Sequence, residues 1–104
     1  MQLKSPVIDV VLDNNDGTHL VAAVQTDNRD MVRWDLTRGR RQWPQAQDAP
    51  FLWGTFLAWA ALHRAGDITE DFEAFEARCL QAKSRKLEDV DPVDPTRTAA
   101  ASGS

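Results

Sequence analysis

Three observations predict a small α+β fold, mainly helical, with an N-terminal β-hairpin packed on a three-helix core. A β-branched run, V-I-D-V-V-L at 7–12, is followed by a turn cluster and a second apolar stretch at 19–25. Pro50–Arg64, reading P-F-L-W-G-T-F-L-A-W-A-A-L-H-R, is the most apolar run in the chain and the element that the rest is organised around. From Glu88 onward the composition turns to acid, proline and small residues, with almost nothing to bury. The chain has 104 residues, 42% of them apolar, enough for one modest core. The expected organisation is one helical α+β domain over residues 1–87 and a disordered acidic tail over 88–104.

The hairpin is predicted by D-N-N-D-G-T at 13–18, where Asp16-Gly17 is a strong turn signal, and by H-L-V-A-A-V-Q at 19–25. Ala22 and Ala23 leave a helical reading of that second half open. Thr26, Asp27 and Asn28 offer capping oxygens for a helix to about Arg41, with acids in its first turn and Arg38, Arg40 and Arg41 in its last. Val32 and Leu36 form an i,i+4 pair on its apolar face, which Met31 and Trp34 widen, and Gly39 weakens its interior. Trp43 precedes Pro44, so its backbone is biased to extended geometry and its ring is free to fold back on the core.

The central helix has Pro50 in its first turn, Asp48 as a candidate N-cap and Gly66 where a left-handed residue is expected. Phe51, Trp59 and Leu62 gather on one side with Thr55, while Leu52, Trp53 and Phe56 spread over others. A helix apolar on most faces is either buried or keeps a face for a partner. It is too short for a bilayer, which needs roughly 20 residues. Asp67 or Thr69 then caps a last helix whose stripe is Phe72, Phe75, Cys79 and Leu80, closed by Lys83, Arg85 and Lys86.

The net charge of −4 argues against a protein mainly engaged with a polyanion. A single cysteine and an N-terminus without a long apolar run point to a cytoplasm. No catalytic constellation emerges, and no cofactor or metal is expected. His19 and His63 lack spaced metal partners, and Cys79 reads as a small hydrophobe. Asp9, Asp13 and Asp16 lack the EF-hand pattern and read as solvated turn carboxylates. Two features remain. R-G-R-R at 38–41 beside Trp43 is the one patch suited to phosphates and stacking, although helix-end charge compensation explains it as well. Four tryptophans in so small a domain are a surplus, and tryptophan is enriched in binding hot spots. Trp53 and Trp59 lie about 120° apart around the helix axis, so they serve different surfaces.

The runs T-D-N-R-D-M-V-R-W-D-L-T-R-G-R-R-Q-W-P at 26–44, D-A-P-F-L-W-G-T-F-L-A-W-A-A-L-H-R-A-G at 48–66 and D-F-E-A-F-E at 71–76 carry a resemblance. With the D-P-V-D-P-T tail, they are similar to the small tail assembly chaperones of long-tailed phages that infect actinobacteria. The resemblance spans roughly residues 20–95 and rests on spaced aromatics and helix ends, not on catalytic signatures.

The resemblance implies a non-enzymatic protein of the infected bacterial cytoplasm, absent from the mature virion. Its partners would be the tape measure protein, the tail tube protein and further copies of itself, with no membrane and no nucleic acid. A longer product made by ribosomal frameshifting is a habit of the family. The expected contact residues are Trp43, Trp53 and Trp59 as aromatic anchors, with Arg38, Arg40 and Arg41 as a polar rim. A structural virion component, such as a head–tail connector or tail completion protein, is the alternative. A small nucleic-acid-binding protein using R-G-R-R comes after it.

Overall fold

A computed structural model describes residues 5–85. The expected tail over 88–104, and Lys86 as a helix-closing charge, lie outside the described residues. Strands β1 (Val7–Asp13) and β2 (His19–Gln25) form the hairpin, antiparallel from Val7 opposite Gln25 to Asp13 opposite His19. The loop between them turns on Asn15 at φ 65° and Gly17 at φ 89°. Its carboxylates are used locally: Asp13 accepts from the Asn15 N–H at 2.8 Å, and Asp16 from the Thr18 N–H at 2.9 Å.

Helix α1 (Asn28–Arg41) opens on a capping box. Asp27 accepts from the Arg29 N–H and Asp30 reaches back to the Asp27 N–H, both at 2.9 Å. Gly39 does not end it; a left-handed Gln42 does. The apolar face differs from the expected one. Val32 and Leu36 are exposed, and the buried residues are Asp30, Trp34 and Thr37. Trp34 takes the inward position against Phe56, and Asp30 on the same stripe is held inward by Arg64 at 2.9 Å.

Helix α2 (Pro50–Ala65) packs against β1, β2 and α1, and against both elements that follow it, and is the centre of the molecule as the sequence implies. Asp48 is not its cap but ends a 3-10 turn, Ala46–Asp48. Ala49 takes the cap position without a side-chain bond, and Pro50 at the first turn has no N–H to satisfy. Gly66 ends it at φ 81°, donating to the His63 carbonyl.

Helix α3 (Phe72–Arg78) is capped by Asp71, not by Asp67 or Thr69, and is shorter than expected. The chain leaves helical geometry at Cys79 and forms a strand, β3 (Cys79–Ser84). The hairpin is therefore part of a three-stranded antiparallel sheet in the order β2-β1-β3. The physical reason lies in β1. Ile8, Val10 and Leu12 are fully buried, so the backbone groups on β1's second edge lie away from water and need partners. β3 supplies them and overrides the helical stripe; Phe72 and Phe75 stay buried, while Leu80 is exposed. Between Val11 opposite Gln81 and Leu12 opposite Cys79 the register slips, so Leu80 sits in a bulge.

The result is two layers. Ile8, Val10, Leu12 and Val24 on one face of the sheet meet Phe56, Leu57, Ala58, Ala60 and Ala61 of α2. The other face carries half-buried or exposed Asp9, Val11, Val21 and Lys83, with Asp9 paired to Arg85 at 2.8 Å.

Candidate functional site

Two surfaces compete for a functional role. The first gathers part of the expected contact set at the cleft between α1 and α3. Trp34, Trp43, Phe56, Trp59 and Phe72 form one ring cluster, with neighbouring centroids 5.4 to 5.9 Å apart. Trp59, expected as an anchor, lies in the core at 7% exposure, and its indole N–H donates to the Glu70 carbonyl at 2.9 Å. A tryptophan held on both its ring and its N–H is a packing residue first. Trp43 is half-buried and does fold back, stacking on Trp34, Phe56 and Phe72.

Cations cover this cluster. Arg33 lies 4.6 Å above the Trp59 ring and Arg41 lies 5.1 Å above that of Trp43. Arg41 also pairs with Glu73 of α3, whose carboxyl is held below the usual range by that bond. A cavity of about 150 Å³ brings Arg40, Arg41, Trp43 and Trp59 together. Trp53 and Arg38 do not line it. Because Arg41 is engaged by a carboxylate and an indole, the cation cluster faces solvent with less free charge than R-G-R-R suggests.

The second surface is larger and was not anticipated. Phe51, in the first turn of α2, is 79% exposed, and Leu80 in the β3 bulge is 55% exposed. With Thr55, Cys79, Ala82 and Lys83 they line an open, mainly apolar groove of about 550 Å³ between α2 and the outer edge of β3. Its floor is set by close packing, since a Cβ on Gly54 would lie 3.5 Å from the Ala82 carbonyl oxygen. The Thr55 hydroxyl donates to the Phe51 carbonyl at 2.7 Å, which leaves the groove wall apolar. No sequence signal singles out Phe51, because Thr55 shares its side of the helix with Trp59, which is buried. Leu80 gave none either, because it stood on the stripe of a helix that ends two residues before it.

Of the chemistry-bearing side chains, Cys79 has its thiol pushed up by burial, and it donates to the Gln81 carbonyl at 3.4 Å, the opposite of the electropositive setting that activates a thiolate. His63 lies against the Trp59 ring at 5.1 Å. Among the described residues no three His, Cys, Asp or Glu side chains gather closely enough to hold a metal ion, and no helix is long and apolar enough to cross a membrane. Comparison with protein-family models, with curated proteins and with solved structures finds no match to this chain.

Proposed function

We propose that this protein is a non-enzymatic tail assembly chaperone of a long-tailed phage, which holds the tape measure protein in the host cytoplasm until the tail tube polymerises around it. The observation that carries the reading is the groove beside β3. A large aromatic ring and a leucine face solvent side by side across an open groove, and contiguous exposed apolar area of this kind marks a protein contact. A long helical client presents apolar side chains at i, i+3, i+4 and i+7, and a groove walled by Phe51 and Leu80 takes such a stripe. Lys83 at the rim adds a charge contact. Of the anchors expected from sequence, Trp53 lies on the same end of α2 as Phe51, and Trp43 with Arg40 forms a separate contact at the α1–α3 cleft.

The test is co-expression with the tape measure protein of the same genome, followed by affinity capture. Wild-type protein is expected to keep the client soluble and to co-purify with it. Phe51→Asp and Leu80→Asp are expected to fold normally, because both side chains are exposed, and to weaken capture by about 2 kcal/mol each, or roughly thirtyfold. Undiminished capture by both variants would overturn the groove as the client site. A client that stays insoluble with wild-type protein would overturn the chaperone reading itself.

A further inference from the structure

The two edges of the sheet are treated differently. The β3 edge has the features that keep edges from pairing: a bulge at Leu80, Lys83 within the strand, and α2 drawn close at Ala82. The β2 edge has none of them. From His19 to Gln25 it reads H-L-V-A-A-V-Q, seven residues without an Asp, Glu, Lys or Arg, a proline or a bulge, in unbroken register with β1. Among the described residues no element pairs with its outer side, and Leu20 and Val21 are 48% and 72% exposed.

We propose that β2 is a self-pairing edge, and that two copies of this chain join β2 to β2 in antiparallel fashion to make one continuous six-stranded sheet. The occupant is identified by register and charge. Hydrogen bonds from Asn14 to Thr18 and from Thr26 to Pro6 place the β1-facing backbone groups of β2 on even-numbered residues. By alternation the N–H and C=O groups of Val21 and Ala23 point to the open edge. A two-fold axis through Ala22 sets Val21 opposite Ala23 of the second copy, so that these outward groups exchange their bonds in both directions. It also sets Leu20 opposite Val24 on the helix-bearing face, covering the exposed part of Leu20. Ala22 meets its own copy at the non-hydrogen-bonded position, where Cα atoms approach to about 4.5 Å and a small side chain fits best. No like charges meet, whereas β3 paired with itself would bring Lys83 close to its copy. An acidic or basic partner strand would find no counter-charge on β2. This inference does not depend on the chaperone reading.

The test is sedimentation of the full chain across micromolar to millimolar concentration, together with amide exchange. Twice the chain mass of 11.6 kDa is expected, with the Val21 and Ala23 amides becoming protected as concentration rises. Val21→Lys and Ala23→Pro are expected to sediment as monomers with an unchanged circular dichroism spectrum. The Ala23 N–H points outward, so a proline there removes no bond to β1. A wild-type chain that stays monomeric overturns the proposal. So does a dimer that survives both variants, or one in which those amides exchange freely. Pairing of β2 with a client strand alone, seen as protection only when client is added, also overturns it.

Discussion

Asp27 and Asp30 show how much of the fold rests on single side chains. Asp30 is 1% exposed, and a buried carboxylate is tolerable only when paired and hydrogen-bonded. It accepts two bonds from Arg64, at 2.9 and 3.2 Å, and one from the Asp27 N–H, tying the start of α1 to the end of α2. Asp27 is held down to about 2 from a carboxyl's usual 3.8. Side-chain bonds from Arg29 are the main cause; desolvation opposes them, and the Arg29 N–H and the Arg64 charge add to them. Asp9 and Glu73 are lowered in the same direction by Arg85 and Arg41. A folded-state value below the unfolded one means that the stabilisation is complete above about pH 4 and is lost as pH falls through the folded value. The urea midpoint is therefore expected to drop between pH 4 and pH 2, and to drop less in Asp27→Asn, which keeps a capping oxygen but cannot titrate. An equal drop in the variant would show that Asp27 is not among the groups responsible. The cap was legible in the sequence because capping is local. The Arg64 pair was not, since its partner lies 34 positions away.

At the scale of elements, legibility follows the range of the interactions that decide each one. The hairpin and the central helix could be read from turn chemistry and from an apolar run between Pro50 and Gly66. Residues 79–84 could not, because their helical stripe is locally sound and is overruled only by the unfilled edge of β1, some seventy positions away. The same applies to α1, where Trp34 displaces the aliphatic pair from the buried face. The meeting of α2 with β3 also makes a distinction that helix propensity alone does not. A Cβ on Gly54 would sit 3.5 Å from the Ala82 carbonyl oxygen, an ordinary contact. Gly54→Ala is therefore expected to stabilise the protein by about 0.5–1 kcal/mol, the usual gain from replacing glycine in a helix interior. Gly54→Leu must push α2 away from β3 and is expected to cost about 1–3 kcal/mol. Thermal melts of the two variants decide this, and a destabilised alanine variant would mean that the helix and strand lie closer than described.

For the whole molecule, the sheet order puts the groove lined by Phe51 and Leu80 and the open edge of β2 on opposite sides of β1. The sequence signalled surplus aromatics, but not which of them the ring cluster would absorb; that needs the packing of α1 and α3 on α2, which buries Trp34 and Trp59. The two groove residues that face solvent, Phe51 and Leu80, are set by where α2 begins and α3 ends. On both proposals together, a paired molecule presents two grooves at the ends of a six-stranded sheet. Five strand spacings of about 4.8 Å separate the outer strands by roughly 24 Å. At 1.5 Å per residue, that distance corresponds to about 16 residues of client helix. A long client fragment reaches both grooves and gains effective concentration at the second, while a fragment of a single apolar stripe cannot. Ala23→Pro is therefore expected to weaken binding of a long tape measure fragment at least tenfold and to leave a short one unchanged. Phe51→Asp is expected to weaken both, without altering the sedimentation of the free chain. Titration calorimetry with the two fragments separates these effects. Equal losses for long and short fragments in Ala23→Pro would mean that β2 contacts the client directly, and that self-pairing is not what links the two grooves.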